Sequence, residues 1–274
     1  KLAREHVTVA LSGDGGDELF GGYDSYVADQ LARRLAYVMP RGLARIVSGL
    51  TDLLPPSRKK KGLTNKIKRF VQGVAEEPDA IEHYRWMTYM PVRLKQRLYT
   101  SGLKRTLEVS DVYHPVREAL GTFTGNDLLN RQLYADLCIY LSDDILVKVD
   151  RMSMATSLET RAPFLDPELI ELVSSMPGHL KIRGNERKYV LKRAFRDVLP
   201  ATILRRPKDG FSIPMKNWLK VELSSMLQDL LSRDRLIRRG WFEPTVVQQL
   251  IQEHIGGRRN HAHTLFSLMV LERW

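Results

Sequence analysis

The sequence predicts an α/β chain in which a mostly helical body is attached to one clear strand of a parallel sheet. The run Val7–Leu11 is β-branched and aliphatic and ends abruptly in a polar turn, as buried strands of parallel sheets do. Apolar residues then recur at helical spacing along most of the remaining chain. In open α/β sheets, ligands bind where the strands end, so the loop after Leu11 is the first candidate site.

That loop combines glycines with carboxylates. Its glycines are Gly13, Gly15 and Gly16, and its acidic residues are Asp14, Asp17 and Glu18. The glycines permit backbone conformations closed to other residues and let an anion approach closely. Three carboxylates within five residues require a cation or basic groups to offset their repulsion. A plain surface turn before a helix is the alternative, but the flanking strand and the continuation Leu-Phe-Gly-Gly-Tyr favour a functional loop.

Helices are expected over most of the first half of the chain after this loop. The predicted ranges are 24–39, 43–54, 66–74, 79–90, 92–98 and one or two helices within 101–126. Pro40, Pro55 and Pro91 follow three of these ranges, as expected of a residue that cannot continue a helix.

In the second half, helices are predicted over 126–141, 144–157, 167–176, 188–196, 218–231, 244–255 and 262–273. Residues 161–166 form an extended loop in this prediction, with Asp166 as the cap and Pro167 in the first turn of the following helix. One strand is few for a complete α/β domain, so the missing strands are expected upstream.

Composition limits the partners that this chain is expected to have. The chain has 274 residues, 43% of them hydrophobic, which suffices for a large core. Its single cysteine, Cys138, excludes a disulfide framework and suits a reducing compartment, so a cytoplasmic protein without a membrane partner is expected. Lysine and arginine exceed acidic residues by 43 to 32, a formal charge of +11. The basic run 58–61 is interpreted as a solvated loop, and nucleic acid is not expected as a partner because no aromatic residues interleave it.

The residues Ser12–Tyr23 resemble the synthetase-domain signature of glutamine-hydrolysing asparagine synthetases. Further similar segments follow in the same order as in that family, at 140–166, 184–192, 206–214 and 240–269. The resemblance implies an α/β parent with the parallel sheet of the adenine nucleotide alpha hydrolase type. Residues 1–274 would be the C-terminal part of its synthetase domain, mostly α-helical with one or two strands.

Two features of the family are missing from the sequence. Neither the Ser-Gly-Gly-x-Asp-Ser loop that grips pyrophosphate nor an N-terminal cysteine for glutamine hydrolysis is present. Both lie upstream in the family, so the resemblance implies a longer parent with a glutaminase domain before this chain. The chain alone is then expected to be inactive.

The resemblance also implies roles for individual residues. Asp17 would be the Mg²⁺ carboxylate, Asp14 would orient the reacting groups, and Asp144 and Lys188 would contact substrate. The residues expected to hold the nucleotide are Ser12, Gly13, Gly15 and Gly16. Lys188 begins a predicted helix, where a positive charge opposes the dipole and needs compensation. Asp144 is four residues before Lys148, which also fits a solvated ion pair, although nearby methionines favour partial burial.

The activity implied is an ATP-dependent conversion of aspartate to asparagine through aspartyl-AMP, with ammonia from glutamine and with Mg²⁺. A β-lactam or carbapenam synthetase-like cyclase is the runner-up and would place a Tyr–Glu pair in its nucleophile pocket. A non-catalytic relative and a nucleic-acid binder are weaker alternatives. A homodimer is possible, and sequence leaves the exact acyl substrate open.

Lys208 lies in the segment Arg-Pro-Lys-Asp-Gly-Phe, where the family has a lysine that contacts phosphate. In the full-length protein, Lys208→Ala should lower the adenylation rate about 10²–10³-fold, because an ammonium that follows charge onto pyrophosphate binds most tightly in the transition state. Glutaminase activity should stay nearly intact, and Lys208→Arg should not rescue fully. Pyrophosphate release within a few-fold of wild type in Lys208→Ala would make the lysine a bystander.

Overall fold

The computed structural model describes residues 1–36, 70, 84, 86–107, 113–206 and 213–274. These residues fall into two compact units. The first contains residues 1–33 and 113–206, and the second contains 34–36, 70, 84, 86–107 and 213–274. Within this part of the chain, every helix is too short or too polar to cross a bilayer.

Helices dominate the described residues. In chain order they are α1 (Gly16–Phe20), α2 (Asp24–Ala36), α3 (Val92–Leu98), α4 (Ser101–Leu107), α5 (His114–Thr122), α6 (Leu128–Asp136), a π-helix (Leu137–Leu146), α7 (Val147–Met154), α8 (Pro167–Ser175), α9 (Gly178–Lys181), α10 (Tyr189–Ala194), α11 (Ala201–Leu204), α12 (Met215–Trp218), α13 (Ser224–Leu230), α14 (Arg233–Arg239), α15 (Pro244–Ile255) and α16 (Ala262–Arg273). The strands are β1 (Val9–Leu11), β2 (Glu159–Arg161), β3 (Ile182–Arg183) and β4 (Glu186–Arg187). Short 3₁₀ turns occupy Ala3–Glu5 and Pro163–Leu165.

The predicted first strand is present and lies in a parallel pair. β1 pairs with β2 in the register Val9 to Glu159 and Leu11 to Arg161. No local signal identifies 159–161 as the partner strand, because parallel partners are far apart in sequence and leave no hairpin signal. The expectation that the first strand is buried is wrong for this chain, since Leu11 is 75% exposed. A two-stranded sheet has too few layers around it to cover both faces.

Unit 1 is held by helix caps and by two small apolar clusters. Asp127 accepts a hydrogen bond from the Asn130 N–H at 2.9 Å and caps α6, and Asp166 caps α8 as predicted. One cluster joins Tyr26 of α2 to Leu129 and Leu133 of α6, and the other joins α1 to α8 through Leu19, Phe20 and Val173.

The stretch from Leu137 to Met154 differs from the sequence-based prediction. Two helices were predicted, over 126–141 and 144–157, whereas α6, the π-helix and α7 follow one another without a break. A π-helix is wider than an α-helix, and apolar spacing does not distinguish the two over ten residues.

Three carboxylates are buried where α1 and α2 pack against α6. The Tyr23 hydroxyl donates to Glu18 at 2.5 Å, and the Tyr26 hydroxyl donates to Asp136 at 2.5 Å. Asp29 accepts from the Gln132 amide and the Arg33 guanidinium, both at 2.7 Å. Buried carboxylates are costly unless they accept hydrogen bonds, so the Tyr26–Asp136 and Gln132–Asp29 contacts fix how α2 lies on α6.

Unit 2 is a helical unit around one apolar core. Its buried residues include Leu219, Leu227, Leu236, Leu265 and Leu268. Helices 92–98, 244–255 and 262–273 have the predicted bounds. The predicted helix 218–231 is wrong in part: α12 ends at Trp218 and α13 begins at Ser224. The sequence analysis missed α14, a seven-residue helix that its polar composition concealed.

His254 is fully buried in unit 2 and has a defined tautomer. Its Nδ1 accepts the His261 N–H at 3.1 Å, so its proton lies on Nε2, which donates to the Lys216 carbonyl at 3.1 Å. Burial lowers the pKa of His254 to about 4, which keeps the ring neutral.

Several sequence-based predictions fall outside the described residues. These are the helix 43–54, most of the helices 66–74 and 79–90, the basic run 58–61 and Lys208.

Gly21 ends α1 in the left-handed conformation, with φ +67°. A β-carbon there would also lie 2.8 Å from the Ile182 side chain. Gly21→Ala should therefore destabilise the protein by at least about 1–2 kcal/mol, measured by urea unfolding of the full-length protein. Gly121→Ala in α5 is the matched control, because a β-carbon there meets nothing within 4 Å and the change should be neutral or stabilising. Equal effects of the two substitutions would contradict this explanation.

Candidate functional site

The loop after β1 is seated on the segment that follows β2. The Ser12 N–H donates to the Arg161 carbonyl at 2.8 Å and extends the strand pairing by one residue. Gly15 has φ +83°, and a β-carbon on it would lie 2.2 Å from the Leu165 side chain. Gly16 lies against the Phe164 ring, where an added β-carbon would be 3.1 Å away. The loop therefore packs in a fixed position against residues 163–165.

Of the three loop glycines, only Gly15 needs a conformation that is closed to other residues. Gly13 and Gly16 have ordinary φ values, so the expectation of special backbone conformations is wrong for these two. Gly13 is exposed, and a β-carbon on it would meet nothing within 4 Å. Close packing against Phe164 explains Gly16.

Asp17 and Lys188 form an ion pair in this site. The Lys188 Nζ lies 2.7 Å from the Asp17 Oδ1, and the side chains are 29% and 14% exposed. Lys188 is the N-cap of α10, the position where its charge opposes the helix dipole. The compensating group that the sequence analysis required is thus the Asp17 carboxylate.

The backbone of Lys188 is also unusual. Its φ of 54° and ψ of 36° are left-handed, a conformation that costs free energy in a residue with a side chain. The Lys188 N–H donates to the Phe20 carbonyl at 3.2 Å, which ties it to the end of α1. Strained residues of this kind occur often at binding sites, where the surrounding contacts hold them.

The β3–β4 hairpin brings Lys188 to the loop. Arg187 donates to the Gly22 carbonyl at 3.3 Å and forms an ion pair with Asp24. Ile182 packs into the cluster formed by α2 and α6. The hairpin is thereby fastened to both ends of the turn that joins α1 to α2.

A partly buried polar cluster anchors the segment before this hairpin. Asp127 accepts the Gly178 N–H at 2.8 Å, and the Asn130 side chain donates to the Met176 carbonyl at 2.9 Å. The Lys181 ammonium, 2% exposed, donates to the Asn130 Oδ1 at 2.6 Å. Burial lowers the pKa of Lys181 to about 8, against the opposing effect of Asp127.

Asp14 and Glu18 differ in burial and in hydrogen bonding. Asp14 is half-buried, and within the described part of the chain its side chain makes no hydrogen bond or ion pair. Glu18 is 2% exposed and accepts from Tyr23 instead of capping the helix. Burial raises the pKa of Glu18, while the Tyr23 hydrogen bond opposes the rise. The two residues thus form a Tyr–Glu pair in which Glu18 is buried and Tyr23 is partly exposed.

Within the described residues, the Asp144 carboxylate makes no contact with the loop after β1. It pairs with Lys148 at 3.9 Å, and the two side chains are 59% and 61% exposed. The predicted pairing is confirmed, but the predicted partial burial is wrong, and Met152 and Met154 are exposed as well. The π-helix that carries Asp144 does pack beside α1, through Leu137 and through Tyr140 on Tyr23 at 5.8 Å.

Glu159 and Arg161 lie on the same side of β2, as their two-residue spacing predicts. The Arg161 Nε donates to the Glu159 Oε1 at 2.7 Å, and both side chains are exposed. Their pairing with each other suits a structural role for the two residues.

The side chains of this site suit a cation for which substrate and water supply most of the ligands. Among the residues that the structure describes, no group of three or more acidic, histidine or cysteine side chains could enclose a metal ion. Mg²⁺ commonly uses only one or two carboxylates together with substrate phosphates, and Asp17 supplies one carboxylate. Lys208 lies outside the described residues.

Sequence reasoning missed two groups that shape this site. Gly22 lies directly against the ion pair, and a β-carbon on it would be 1.8 Å from the Asp17 Oδ1. Lys181 and its polar partners hold the segment that leads to Lys188. The doubled glycine after Phe20 was a usable signal for Gly22, whereas nothing local to Lys181 indicates burial.

Comparison with known proteins gives one family over the whole chain. The family profile described as asparagine synthase matches residues 1–274. Asparagine synthetase [glutamine-hydrolyzing] 1 of Bacillus subtilis is 28% identical over 279 residues, covering 100% of this chain and 41% of that protein. A putative asparagine synthetase [glutamine-hydrolyzing] of Mycobacterium tuberculosis is 32% identical over 275 residues, covering 99% of this chain and 40% of that protein.

A protein named as an amidase in Gibberella zeae is 23% identical over 265 residues, covering 86% of this chain and 36% of that protein. The chain spans about 40% of the length of the two asparagine synthetases named above. No solved structure gives a significant match.

The depressed pKa of Lys181 has a consequence for stability. A lysine in the unfolded chain keeps a pKa near 10.5, so between pH 8 and 10.5 the unfolded chain binds more protons than the folded chain. The contribution of Lys181 to the free energy of unfolding therefore rises with pH in this window, by about 1.4 kcal/mol per pH unit at most.

In Lys181→Met this rise should disappear. Urea unfolding of the full-length protein at intervals from pH 7.5 to 9.5 should give a flatter profile for the variant than for wild type. Parallel profiles would show that the ammonium is solvated in the folded state.

Proposed function

The chain belongs to the asparagine synthase family, and we propose on this basis that the protein containing it is an ATP-dependent amide-forming ligase. The proposed reaction activates the side-chain carboxylate of aspartate. That carboxylate attacks the α-phosphorus of ATP and forms aspartyl-AMP with release of pyrophosphate. Ammonia from glutamine then attacks the acyl carbon, which forms asparagine and releases AMP.

The observation that carries this proposal is the contact between Asp17 and Lys188. It places a carboxylate and an ammonium 2.7 Å apart beside a glycine-containing loop at the end of a parallel strand. A carboxylate suits a divalent cation and an ammonium suits a phosphate oxygen. The two groups thus carry the charges that a metal–nucleotide complex requires of its binding site.

In this proposal Mg²⁺ would be held by Asp17, and when bound it withdraws charge from the phosphates of ATP. Lys188 binds a phosphate oxygen and stabilises negative charge as pyrophosphate leaves. The half-buried position of the two side chains strengthens these contacts relative to bulk water. The nucleotide would lie against the loop backbone, at Ser12, Gly13, Gly15 and Gly16. The side chains of Phe164 and Leu165 pack against this loop and hold its backbone in place.

Three further residues complete the proposed site. Asp14 has a side chain without a protein partner in the described residues, which suits a group that orients substrate. Asp144 on the π-helix would contact the amino group of aspartate, which requires its exposed ion pair with Lys148 to open. Lys208 would stabilise charge on the departing pyrophosphate.

The exposure of the β1–β2 sheet favours a longer protein of which this chain is one part. Leu11 and Val9 of β1 are exposed at 75% and 38%, although both faces of a parallel sheet are normally covered. We therefore propose that residues 1–274 are the C-terminal part of a synthetase domain and that other parts of the protein supply the remaining strands. A pyrophosphate-binding loop and a glutaminase domain would belong to those parts. The full-length protein would act in the cytoplasm and could form a homodimer.

A second candidate is an amidotransferase with another acyl substrate. The relative in Gibberella zeae that is named as an amidase covers most of this chain, so the fold is not restricted to proteins named for asparagine. The chemistry of carboxylate activation would be the same, and the acyl-binding residues would differ.

The reaction is tested with full-length protein, aspartate carrying ¹⁸O in its side-chain carboxylate, ATP and glutamine. Attack on the α-phosphorus should move one ¹⁸O into AMP, with pyrophosphate and asparagine formed in equal amounts. Reactions without aspartate, or with glutamate in its place, are the controls. ADP and phosphate as products would contradict adenylation, and AMP formation that needs a different acid would favour the second candidate.

A further inference from the structure

Gly22 follows α1 and is buried beside the Asp17–Lys188 pair. A β-carbon built on it would lie 1.8 Å from the Asp17 Oδ1 and 2.5 Å from the Lys188 Cε. Both distances are far below van der Waals contact, so a methyl group at this position and the ion pair require the same space.

The conformation of Gly22 does not explain a glycine here. Its φ is not in the left-handed region, unlike that of Gly21 next to it. The backbone of Gly22 is also held on both sides: its N–H donates to the Asp17 carbonyl at 2.8 Å, and its carbonyl accepts from Arg187. The backbone therefore cannot easily move away from the pair to make room for a side chain.

The atoms that an added methyl would meet belong to side chains. The end of a lysine side chain and a carboxylate move more readily than a backbone held by two hydrogen bonds. A methyl group at Gly22 would accordingly push the ammonium and the carboxylate apart and leave α1 and the hairpin in place.

We propose that Gly22 is a positioning residue, whose missing side chain sets the distance between the carboxylate that holds the cation and the ammonium that binds phosphate. This inference deepens the proposed function and rests on it for the identity of the two ligands. Gly22 itself touches neither substrate nor cation.

The activity test compares four variants of the full-length protein: Gly22→Ala, Gly121→Ala, Lys188→Ala and the double variant Gly22→Ala/Lys188→Ala. Gly22→Ala should lower kcat/KM for ATP at least tenfold in pyrophosphate release, with an unfolding midpoint within a few degrees of wild type. Gly121→Ala, the same change in open space, should stay within twofold. In the Lys188→Ala background, Gly22→Ala should cost less than it does in wild type, because one of the two groups that the methyl displaces is already absent while the Asp17 carboxylate remains.

A second measurement needs no substrate. The coupling between Asp17→Asn and Lys188→Gln is obtained from unfolding equilibrium constants, once with Gly22 and once with alanine at that position. The coupling should be about twofold to fivefold with glycine, as for a partly exposed ion pair, and absent with alanine. If the wild-type protein forms no AMP, the proposed function fails. The coupling measurement still decides whether Gly22 sets the distance within the ion pair.

Several results would overturn the inference. Gly22→Ala with kcat/KM within twofold of wild type would do so, as would a coupling that is unchanged with alanine at position 22. If Gly22→Ala does not fold, folding of the double variant would support competition for the same space. Failure of both to fold would show that the backbone, and not the ion pair, requires the glycine.

Discussion

The ion pair between Asp17 and Lys188 joins two segments that are far apart in the sequence. Asp17 belongs to the loop and helix after β1, and Lys188 follows the β3–β4 hairpin. The pair is only partly exposed, so removing one partner leaves the other as a poorly solvated charge. Three features lie beside the pair: a left-handed backbone at Lys188, a position without a side chain at Gly22, and Arg187, which donates to the Gly22 carbonyl.

The rigidity behind this pair comes from polar contacts in the interior. Glu18, Asp29 and Asp136 are buried carboxylates that accept hydrogen bonds from tyrosine, glutamine and arginine side chains. Such contacts add little net stability, but they penalise any other packing of α2 on α6, because another packing would leave a buried carboxylate unsatisfied. The Asp127, Asn130 and Lys181 cluster has the same effect on the segment that leads to Lys188. The loop after β1 and the β3–β4 hairpin thus lie on a framework that these contacts hold in one arrangement.

Family membership and the geometry of the site are independent observations on this chain. The family profile covers the whole chain, while the curated relatives are more than twice as long. The structure adds that the cationic and anionic groups of the site are paired with each other, and that Glu18, adjacent to Asp17, is an interior residue with a separate partner. Two neighbouring carboxylates of one acidic loop thus have different partners: Asp17 pairs with Lys188, and Glu18 accepts from Tyr23.

The sequence by itself determined the elements whose signals are local. Val7–Leu11 followed by the glycine-rich turn indicated the strand and the loop, Asp166 and Pro167 indicated a helix start, and the helices 92–98, 244–255 and 262–273 have prolines or clear apolar spacing at their ends. The resemblance to a family, carried by ordered motifs, indicated the reaction class. The spacing of Asp144 and Lys148 also indicated their ion pair.

Tertiary structure decided which groups meet and which are covered. The strand partner 159–161, the compensation of Lys188 by Asp17, the burial of Glu18 and Lys181 and the exposure of Asp144 all depend on residues distant in sequence. Periodicity reports that one face of a helix is apolar, but it does not report what covers that face or which charges lie opposite each other. For this reason the sequence predicted the charged residues of the site, and the fold alone determined that Gly22 leaves room for two of them to pair.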